Sequence, residues 1–328
     1  SVGGSTSTSD QCSPFDTSGQ KVVQLSPSTS LVAPEHTTGT TMNIGNNGFM
    51  GYYIGTSTYE ILEITDTKMV VRAIMGNNAS LAWYHIFSTD PPNATPEPEY
   101  NNMVWQDEFN TDGAPDASKW TMEVGNNNGW GNNEAQYYKA DNATVSGGTL
   151  KITAKKEASN GFQYTSARMK TEGKFDFKYG RVEMRAKLPA GGGTWPALWM
   201  LGSDYQTNSW PACGEIDIME HVGNQPNVIH GTLHYPGASG GNANTGTTTI
   251  NNATGDFHIY SLVWSPTKIR FLVDGTVYKT FINSSATVFN HNFFLIFNVA
   301  MGGNMGGAID PAFTQGTMEV DYVRVYQQ

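Results

Sequence analysis

Arg181-Val182-Glu183-Met184-Arg185-Ala186-Lys187-Leu188 is one of many short β-rich runs in this chain, and such runs decide its fold class. Between residues 103 and 326 the runs are divided by Gly, Asn, Asp and Pro, and further clear examples are 149–154, 268–273 and 318–326. Asp274-Gly275 directly follows one of them as a hairpin signal. Short strands at this spacing predict an all-β protein, for which a β-sandwich is the natural architecture.

The composition also favours strands and tight turns over helices. The 328 residues include 36 Gly, 15 Tyr, 15 Phe and 8 Trp, and 15% of them are charged. The formal net charge is -10, and no run of Lys or Arg exceeds two residues. A nucleic-acid partner is therefore not expected, whereas a neutral polysaccharide fits this charge.

The chain carries only indirect signals of its location. No apolar stretch approaches the ~20 residues of a membrane span, so no span is expected. Ser1 begins without an apolar signal region, and we expect a mature or truncated form of a secreted or cell-surface protein. Cys12 and Cys213 form neither a disulfide framework nor a metal spacing, and we expect two free or buried thiols.

Composition divides the chain into four parts. Residues 1–40 are rich in Ser, Thr, Gln and Pro and predict a flexible leader. Residues 41–90 predict a small antiparallel β module that is too small to be very stable alone. Residues 91–100 contain four prolines and predict a semi-rigid linker, which leaves residues 101–328 as the main domain. The β-rich runs of the small module are 59–64, 68–74 and 81–87.

Gly214-Glu215-Ile216-Asp217-Ile218-Met219-Glu220-His221 packs three carboxylates into six residues of an otherwise apolar run. In a regular strand Glu215 and Asp217 share one face, while Glu220 points to the other. A β-bulge at Ile218-Met219 returns Glu220 to the first face, and bulges often re-aim side chains beside active sites. All three acids then line one groove, with the two glutamates within reach of the ~5–5.5 Å separation of a retaining glycosidase.

Two other interpretations of this run are a surface-facing acidic strand and a calcium site. Its Ile and Met neighbours, the aromatic segments 195–199 and 209–211, and the lack of a nearby Lys or Arg favour catalysis over a solvated strand. Calcium loops use flexible Asp, Asn and Gly spacing rather than an Ile-rich strand. In the catalytic interpretation one glutamate is ionised and the other protonated, and Asp217 helps to separate these roles.

Residues 215–220 resemble the signature of glycoside hydrolase family sixteen, in the bulged Glu-x-Asp-x-x-Glu form of its laminarinase-like members. The resemblance covers roughly residues 101–328 and implies a jelly-roll β-sandwich of the concanavalin A-like type, with a long open cleft suited to cutting inside a polymer. Residues 1–98 lie outside it. Other segments that resemble the family, in the family's order, are 105–110, 128–134, 180–186, 195–200 and 321–326.

The resemblance implies a double displacement without a catalytic cofactor, in which Glu215 is the nucleophile, Asp217 assists and Glu220 is the acid/base. Aromatic rings beside these acids are expected to stack on sugars. Of these rings, Trp195 and Trp210 are expected in exposed loops and Trp199 is open to an alternative role in the core. The aromatic candidates are Trp130, Trp195, Trp199 and Trp210. The polar candidates for sugar hydroxyls are Asn128, Asn132, Glu134, Arg168 and His234.

Many members of the family hold a structural calcium away from the cleft. By resemblance its ligands here are Glu108, Gly148 and Asp321, while the alternative for Asp321 is an ordinary acid on a strand surface. Met305 stands where similar proteins often carry Trp, a departure that bears on one sugar subsite.

The expected function is an endo-β-glucanase acting on β-1,3-glucan or mixed-linkage β-1,3/1,4-glucan, and the sequence leaves both substrates open. One alternative is a noncatalytic β-glucan-binding or sensor protein, although all three acids are present. Another is the same fold acting on agar, carrageenan or xyloglucan; the acidic charge disfavours sulfated galactans. A monomer is the default for such an enzyme. In the leading module, a sugar platform or a core is open for Tyr52, Tyr53, Trp83 and Tyr84.

Overall fold

The computed structural model describes residues 99–328 together with five strands within residues 23–88. The chain divides into two compact units, Ser1–Pro96 and Glu97–Gln328. Cys12, Tyr52, Tyr53 and nearly all of the predicted linker lie outside the described residues. No helix among the described residues is long and apolar enough to cross a membrane.

The first unit contains an antiparallel sheet in which each strand pairs with the next along the chain. Its last three strands confirm the three predicted β-rich runs. The flexible leader predicted for residues 1–40 is wrong at its Val23-Gln24-Leu25-Ser26 segment, where apolar and polar residues alternate as in a strand. The five strands are β1 (Val23–Pro27), β2 (Thr40–Ile44), β3 (Thr58–Ile64), β4 (Lys68–Met75) and β5 (Asn78–Ser88).

The second unit is a sandwich of two sheets, as predicted for the main domain. Its strands are β6 (Asn102–Asp107), β7 (Thr121–Glu123), β8 (Gln136–Tyr138), β9 (Ala143–Ser146), β10 (Thr149–Lys155), β11 (Tyr164–Ser166), β12 (Arg168–Lys170), β13 (Gly180–Lys187), β14 (Thr194–Gly202), β15 (Glu215–His221), β16 (Val228–His234), β17 (Asn244–Thr249), β18 (His258–Trp264), β19 (Lys268–Val273), β20 (Thr276–Ile282), β21 (Phe293–Met301) and β22 (Gln315–Gln327). Helical turns among the described residues are α1 (Gly303–Gly306) and the 3-10 segments Asn127–Gly131, Ala140–Asn142 and Gly240–Asn242.

Seven strands in the order β17-β16-β15-β14-β21-β12-β7 form what we call the site sheet. The other ten form the outer sheet, in the order β20-β19-β18-β13-β22-β10-β11-β8, with β6 on β22 and β9 on β10. β18 forms a hairpin with β19, and β19 forms a hairpin with β20. The predicted Asp274-Gly275 turn joins β19 to β20. The predicted jelly-roll β-sandwich is confirmed.

Strand periodicity explains how the sheets bury one core. Along β13, Val182, Met184 and Ala186 are fully buried, and the residues between them are partly exposed. β21, which lies between β14 and β12 in the site sheet, is buried at all nine positions. The cysteine predicted to be a free or buried thiol, Cys213, is both, and burial raises its pKa to about 11.

Candidate active site

The site is built around β15, which carries the predicted bulge. Asp217 pairs with Thr232 and Glu220 pairs with His230, so β15 uses two residues where β16 uses one. The bulge predicted at residues 218–219 is therefore present, and a matching shift in register occurs against β14. As a result all three carboxylates of β15 line one cleft on the site sheet.

The cleft has a volume of about 670 Å³ and brings together residues from six regions of the sequence. Every residue named above for substrate binding lines it except Asn128, which lies in the adjoining turn. Met305, the position noted for its departure from similar proteins, also lines the cleft. The sugar-binding candidates in the lining are Trp130, Asn132, Glu134, Arg168, Trp195, Trp199, Trp210 and His234.

Glu220 is held at both carboxylate oxygens. Trp195 Nε1 donates a hydrogen bond to Oε1 at 3.0 Å, and Thr232 Oγ1 donates to Oε2 at 3.2 Å. The side chain is 8% exposed. Neighbouring strands β14 and β16 therefore fix the orientation of this acid, which leaves it little rotational freedom.

Glu215 and Asp217 face one imidazole. His234 Nε2 lies 3.6 Å from Glu215 Oε1 and 3.2 Å from Asp217 Oδ2, and the three side chains are close enough together to hold a metal ion. However, Gly240 N–H donates to His234 Nδ1 at 3.1 Å. Because Nδ1 accepts this bond, a neutral ring carries its proton on Nε2, the nitrogen that faces the two carboxylates.

Burial raises the pKa of all three carboxyl groups. For Glu215, desolvation is the largest cause and the charge of Asp217 adds to it. For Asp217, desolvation leads, followed by the charge of Glu220. For Glu220, desolvation is opposed by the hydrogen bonds from Trp195 and Thr232. The cluster thus retains protons to higher pH than free carboxyl groups, and can supply both an acid and a base.

Lys279 on β20 is a charged neighbour of the cluster that the sequence did not reveal. Its Nζ donates to Gly231 O at 2.9 Å and to Asn244 O, and the residue is 8% exposed. Its positive charge lowers the pKa of Asp217, while burial lowers its own pKa to about 8. The acids have no Lys or Arg close in sequence, but the fold supplies one.

An arginine and two indoles form one wall of the cleft. The Arg168 guanidinium lies 4.4 Å from the Trp130 ring centre and 4.9 Å from that of Trp199. Arg168 Nε also donates to Glu123 Oε2 at 2.5 Å. Trp199 Nε1 donates to Asn298 Oδ1 at 2.8 Å, so this ring stands on the cleft face rather than in the core. The position of Trp199 is thereby decided in favour of the cleft.

The other two tryptophans differ from each other. Trp210 is 46% exposed in the segment before β15, as expected for a loop residue. Trp195 is not in a loop but in β14, where its indole N–H reaches Glu220. The expectation of a loop was wrong because Pro196, which suggested it, is accommodated within the strand between β15 and β21.

Glu134 belongs to a buried hydrogen-bond network behind the wall. Its Oε2 accepts from Gln136 Nε2 at 2.6 Å and from Tyr138 Oη at 3.0 Å. Tyr138 Oη in turn accepts from Asn298 Nδ2 at 3.1 Å. Since Asn298 also binds Trp199, this network fixes the indole that faces the cleft.

The turn that carries Trp130 is left-handed. Residues 127–131 all have positive φ, with Trp130 at 52°. Left-handed backbone costs a non-glycine residue ~1–2 kcal/mol, so the turn needs support. Asn126 supplies it, because its Oδ1 accepts from Gly129 N at 2.7 Å and its Nδ2 donates to two backbone carbonyls at 3.0 and 2.8 Å.

The proposed calcium ligands converge at a gap in the outer sheet. Asp321 lies in β22 between the part that pairs with β10 and the part that pairs with β6. Gly148 directly precedes β10, and Glu108 directly follows β6. Both carboxylates are ion-paired: Glu108 with Arg324 at 2.7 Å, and Asp321 with Arg185 at 2.6 Å. A calcium ion would have to displace these guanidinium groups, and the site stays a prediction.

Several cleft residues were missed from the sequence. Asn298 could have been found from the sequence, because it is the only polar residue in the apolar run of β21. The other missed residues have no such sequence pattern, because they reach the cleft only through strand pairing and loop packing. The missed residues are Tyr205, His230, Thr232, Thr245, Asn298 and Asn304.

Comparison with known proteins agrees with this geometry. The sequence model for Glycosyl hydrolases family 16 matches residues 130–324, which include the cleft and its carboxylate strand. This chain belongs to glycosyl hydrolase family 16. The family 16 membership confirms the resemblance noted from the sequence and makes the protein a glycoside hydrolase.

Relatives of this family 16 enzyme include both sequences and structures. A β-glucanase of Rhodothermus marinus is 45% identical over 243 residues, covering 69% of this chain and 85% of the relative. The catalytic domain of an endo-1,3-β-glucanase (laminarinase) from Thermotoga petrophila RKU-1 superposes with a TM-score of 0.67, at 42% identity over 70% of this chain and 98% of that one. An endo-β-1,3-glucanase from Pyrococcus furiosus gives a TM-score of 0.66, at 41% identity over 70% of this chain and 98% of that one.

Proposed function

We propose that this family 16 enzyme is a retaining endo-β-glucanase that hydrolyses β-1,3-glucan, mixed-linkage β-1,3/1,4-glucan, or both. The observation that carries the proposal is the bulged strand β15, which presents Glu215, Asp217 and Glu220 together in a cleft lined by indole rings. The relatives described above are named as β-glucanases and endo-1,3-β-glucanases. A noncatalytic binding protein has no need for three neighbouring acids in a cleft that desolvates each of them, because desolvation of a carboxylate is costly.

The reaction follows from the placement of two glutamates. In the first step a Glu215 oxygen attacks the anomeric carbon, while Glu220 gives its proton to the departing glycosidic oxygen. In the second step Glu220 takes a proton from water, the water oxygen attacks the anomeric carbon, and the bond to Glu215 breaks. The configuration at the anomeric carbon is retained, because it is inverted twice.

The surrounding groups suit these roles. Trp195 and Thr232 hold Glu220 in one orientation through both steps. Asp217 is coupled to both glutamates: its charge raises the pKa of Glu215, and the charge of Glu220 raises the pKa of Asp217. Deprotonation of one member of such a cluster raises the proton affinity of the others, so ionised Glu215 favours protonated Glu220.

The walls suit a sugar polymer. The Arg168 guanidinium packs against the rings of Trp130 and Trp199, and the exposed ring of Trp210 lies 5.7 Å from that of His234. Trp130 Nε1 is buried and has no hydrogen-bond partner among the described residues. All of these groups come from one chain, and we infer that a monomer is active. We also infer action outside the cell or at its surface, because a glucan polymer does not enter cells.

The first test is product analysis on laminarin, mixed-linkage glucan, agarose and xyloglucan, with the wild type, Glu215→Gln and Glu319→Gln. Glu319 pairs with Lys187 on the outer sheet and serves as the matched control. We expect oligosaccharides from one or both of the first two substrates, lost in Glu215→Gln and kept in Glu319→Gln. Cleavage of agarose or xyloglucan alone would refute the proposed substrate class. Binding of a glucan without cleavage would indicate a recognition protein rather than an enzyme.

A second test separates the two glutamates. An aryl β-glycoside with a dinitrophenolate leaving group needs no acid in the first step, so Glu220→Gln should still release dinitrophenolate in a burst and then stall. Glu215→Gln should give no burst. Proton NMR of the first product from a natural glucan should show the β-anomer. A burst from Glu215→Gln and none from Glu220→Gln would reverse the assignment.

A further inference from the structure

A pair of glycines leaves space on the face of the site sheet that packs against the outer sheet. Gly231 on β16 pairs directly with Gly246 on β17. A Cβ on Gly246 would lie 2.9 Å from carbons of the Lys279 side chain. A Cβ on Gly231 would lie 2.4 Å from Tyr278 Oη and 2.7 Å from the Phe271 ring. The two glycines therefore leave room for side chains from β19 and β20 of the outer sheet.

Lys279 uses this room to place a cation behind the bulge. Its stem packs against Gly246, and its ammonium lies 4.7 Å from the Phe271 ring centre. The ammonium donates to the carbonyl of Gly231, the residue of β16 that faces the bulge between Asp217 and Glu220. A second bond goes to the carbonyl of Asn244.

The two acceptors of Lys279 are neutral backbone carbonyls. The charge that acts on it is that of Asp217, which raises the pKa of Lys279 against the effect of burial. A buried ammonium without a carboxylate bound to it is costly, and such groups occur where the charge serves the site.

We propose that Lys279 is a positioning residue that holds the β16 backbone opposite the bulge and supports Asp217 in its ionised form. It does not line the cleft and touches no reacting atom, so it acts through Asp217 and Gly231. The inference rests on the proposed function, since the reaction that it serves is that of the three carboxylates. The groups that serve the site thus include a residue of the outer sheet.

Other charged groups also act on these acids and must be held constant in a test. Glu215 and Glu220 lie on the same strand as Asp217, and His234 faces it from β16. Arg168 on β12 lowers the pKa of Glu215. A further histidine, His230 on β16, lines the cleft. Lys279 acts from β20 and is not among the residues that line the cleft, so a change at this position removes none of the cleft side chains.

The experiment compares two variants that separate charge from hydrogen bonding. Lys279→Gln keeps an N–H donor without charge, and Lys279→Met removes both. Lys178→Met removes a lysine charge from an exposed position and serves as the control. The measurement is the pH dependence of kcat and kcat/KM on the glucan that the wild type cleaves, with thermal unfolding measured in parallel.

We expect the acid limb of the kcat/KM profile to move to higher pH by at least about one unit in both Lys279 variants. A nearby opposite charge shifts the pKa of a carboxyl group by ~1–3 units, and this expectation takes the lower end of that range. Activity below the limb then falls about tenfold per unit, mainly through kcat. Unchanged profiles in a folded Lys279→Gln protein would overturn the proposal and leave only a structural role. A wild-type protein that cleaves no glucan would instead refute the proposed function. This outcome is distinguishable from failure of the Lys279 proposal, because it is seen with the wild type before any variant is compared.

Discussion

Asn126 is expected to hold the left-handed turn that carries Trp130, and Asn126→Ala tests this. The substitution removes one acceptor, used by Gly129 N–H, and two donors, used by the carbonyls of Glu134 and Gln136. The positive φ angles of residues 127–131 are then no longer supported by a side chain. We expect the turn to relax and Trp130 to lose its fixed place over Arg168.

The magnitude follows from the contacts. Three hydrogen bonds at ~1 kcal/mol each give a loss of ~3 kcal/mol. For a domain of this size ~1 kcal/mol lowers Tm by ~2–4 °C, so the expected decrease is ~6–12 °C. Loss of an ordered stacking ring is worth ~0.5–1.5 kcal/mol, which corresponds to a ~2–12-fold rise in KM. kcat should change less than KM, because the turn touches none of the three carboxylates.

The assay is thermal unfolding together with steady-state kinetics on a short glucan. Asn101→Ala is the control, because Asn101 is exposed and makes one side-chain bond, to Glu99. The control should match the wild type in both measurements. A Tm and KM for Asn126→Ala equal to those of the wild type would refute the idea that this side chain supports the turn.

Three further outcomes are expected. The pKa of Lys279 is about 8 in the folded protein against an ordinary 10.5, so the unfolded chain binds more protons between these two pH values. The free energy of unfolding of the wild type, relative to that of Lys279→Met, should therefore rise by roughly 3 kcal/mol from pH 8 to 10.5. A difference between the two proteins that stays constant with pH in urea titrations would contradict this. Trp195→Phe removes a bond that lowers the pKa of Glu220, so that pKa should rise and the basic limb of kcat/KM should move to higher pH. Calcium at millimolar concentration should raise Tm relative to EDTA, and Asp321→Asn should abolish the increase; equal Tm values in calcium and EDTA would remove the predicted site.

Much of the site was predictable because β15 is a local feature. Three acids in an apolar run need one bulge to share a face, and residues 218–219 are the positions that provide it. The indoles were found because aromatic residues near the acids are few and conspicuous. The error at Trp195 shows the limit of such local rules, because Pro196 marks a loop in most sequences but lies inside β14 here.

What the sequence by itself determined is the all-β class, the strand runs, the bulge and the identity of the three acids, since each depends on spacing within about ten residues. The tertiary structure alone decided that Thr232 and Trp195 hold Glu220, that Asn298 fixes Trp199, and that Lys279 of the outer sheet bonds to the carbonyl of Gly231 opposite the bulge. These contacts join strands distant in sequence. Sheet order and register determine which residues meet in these contacts. The free energy that favours one register over another comes from packing throughout the core, so no single segment of the sequence reveals it.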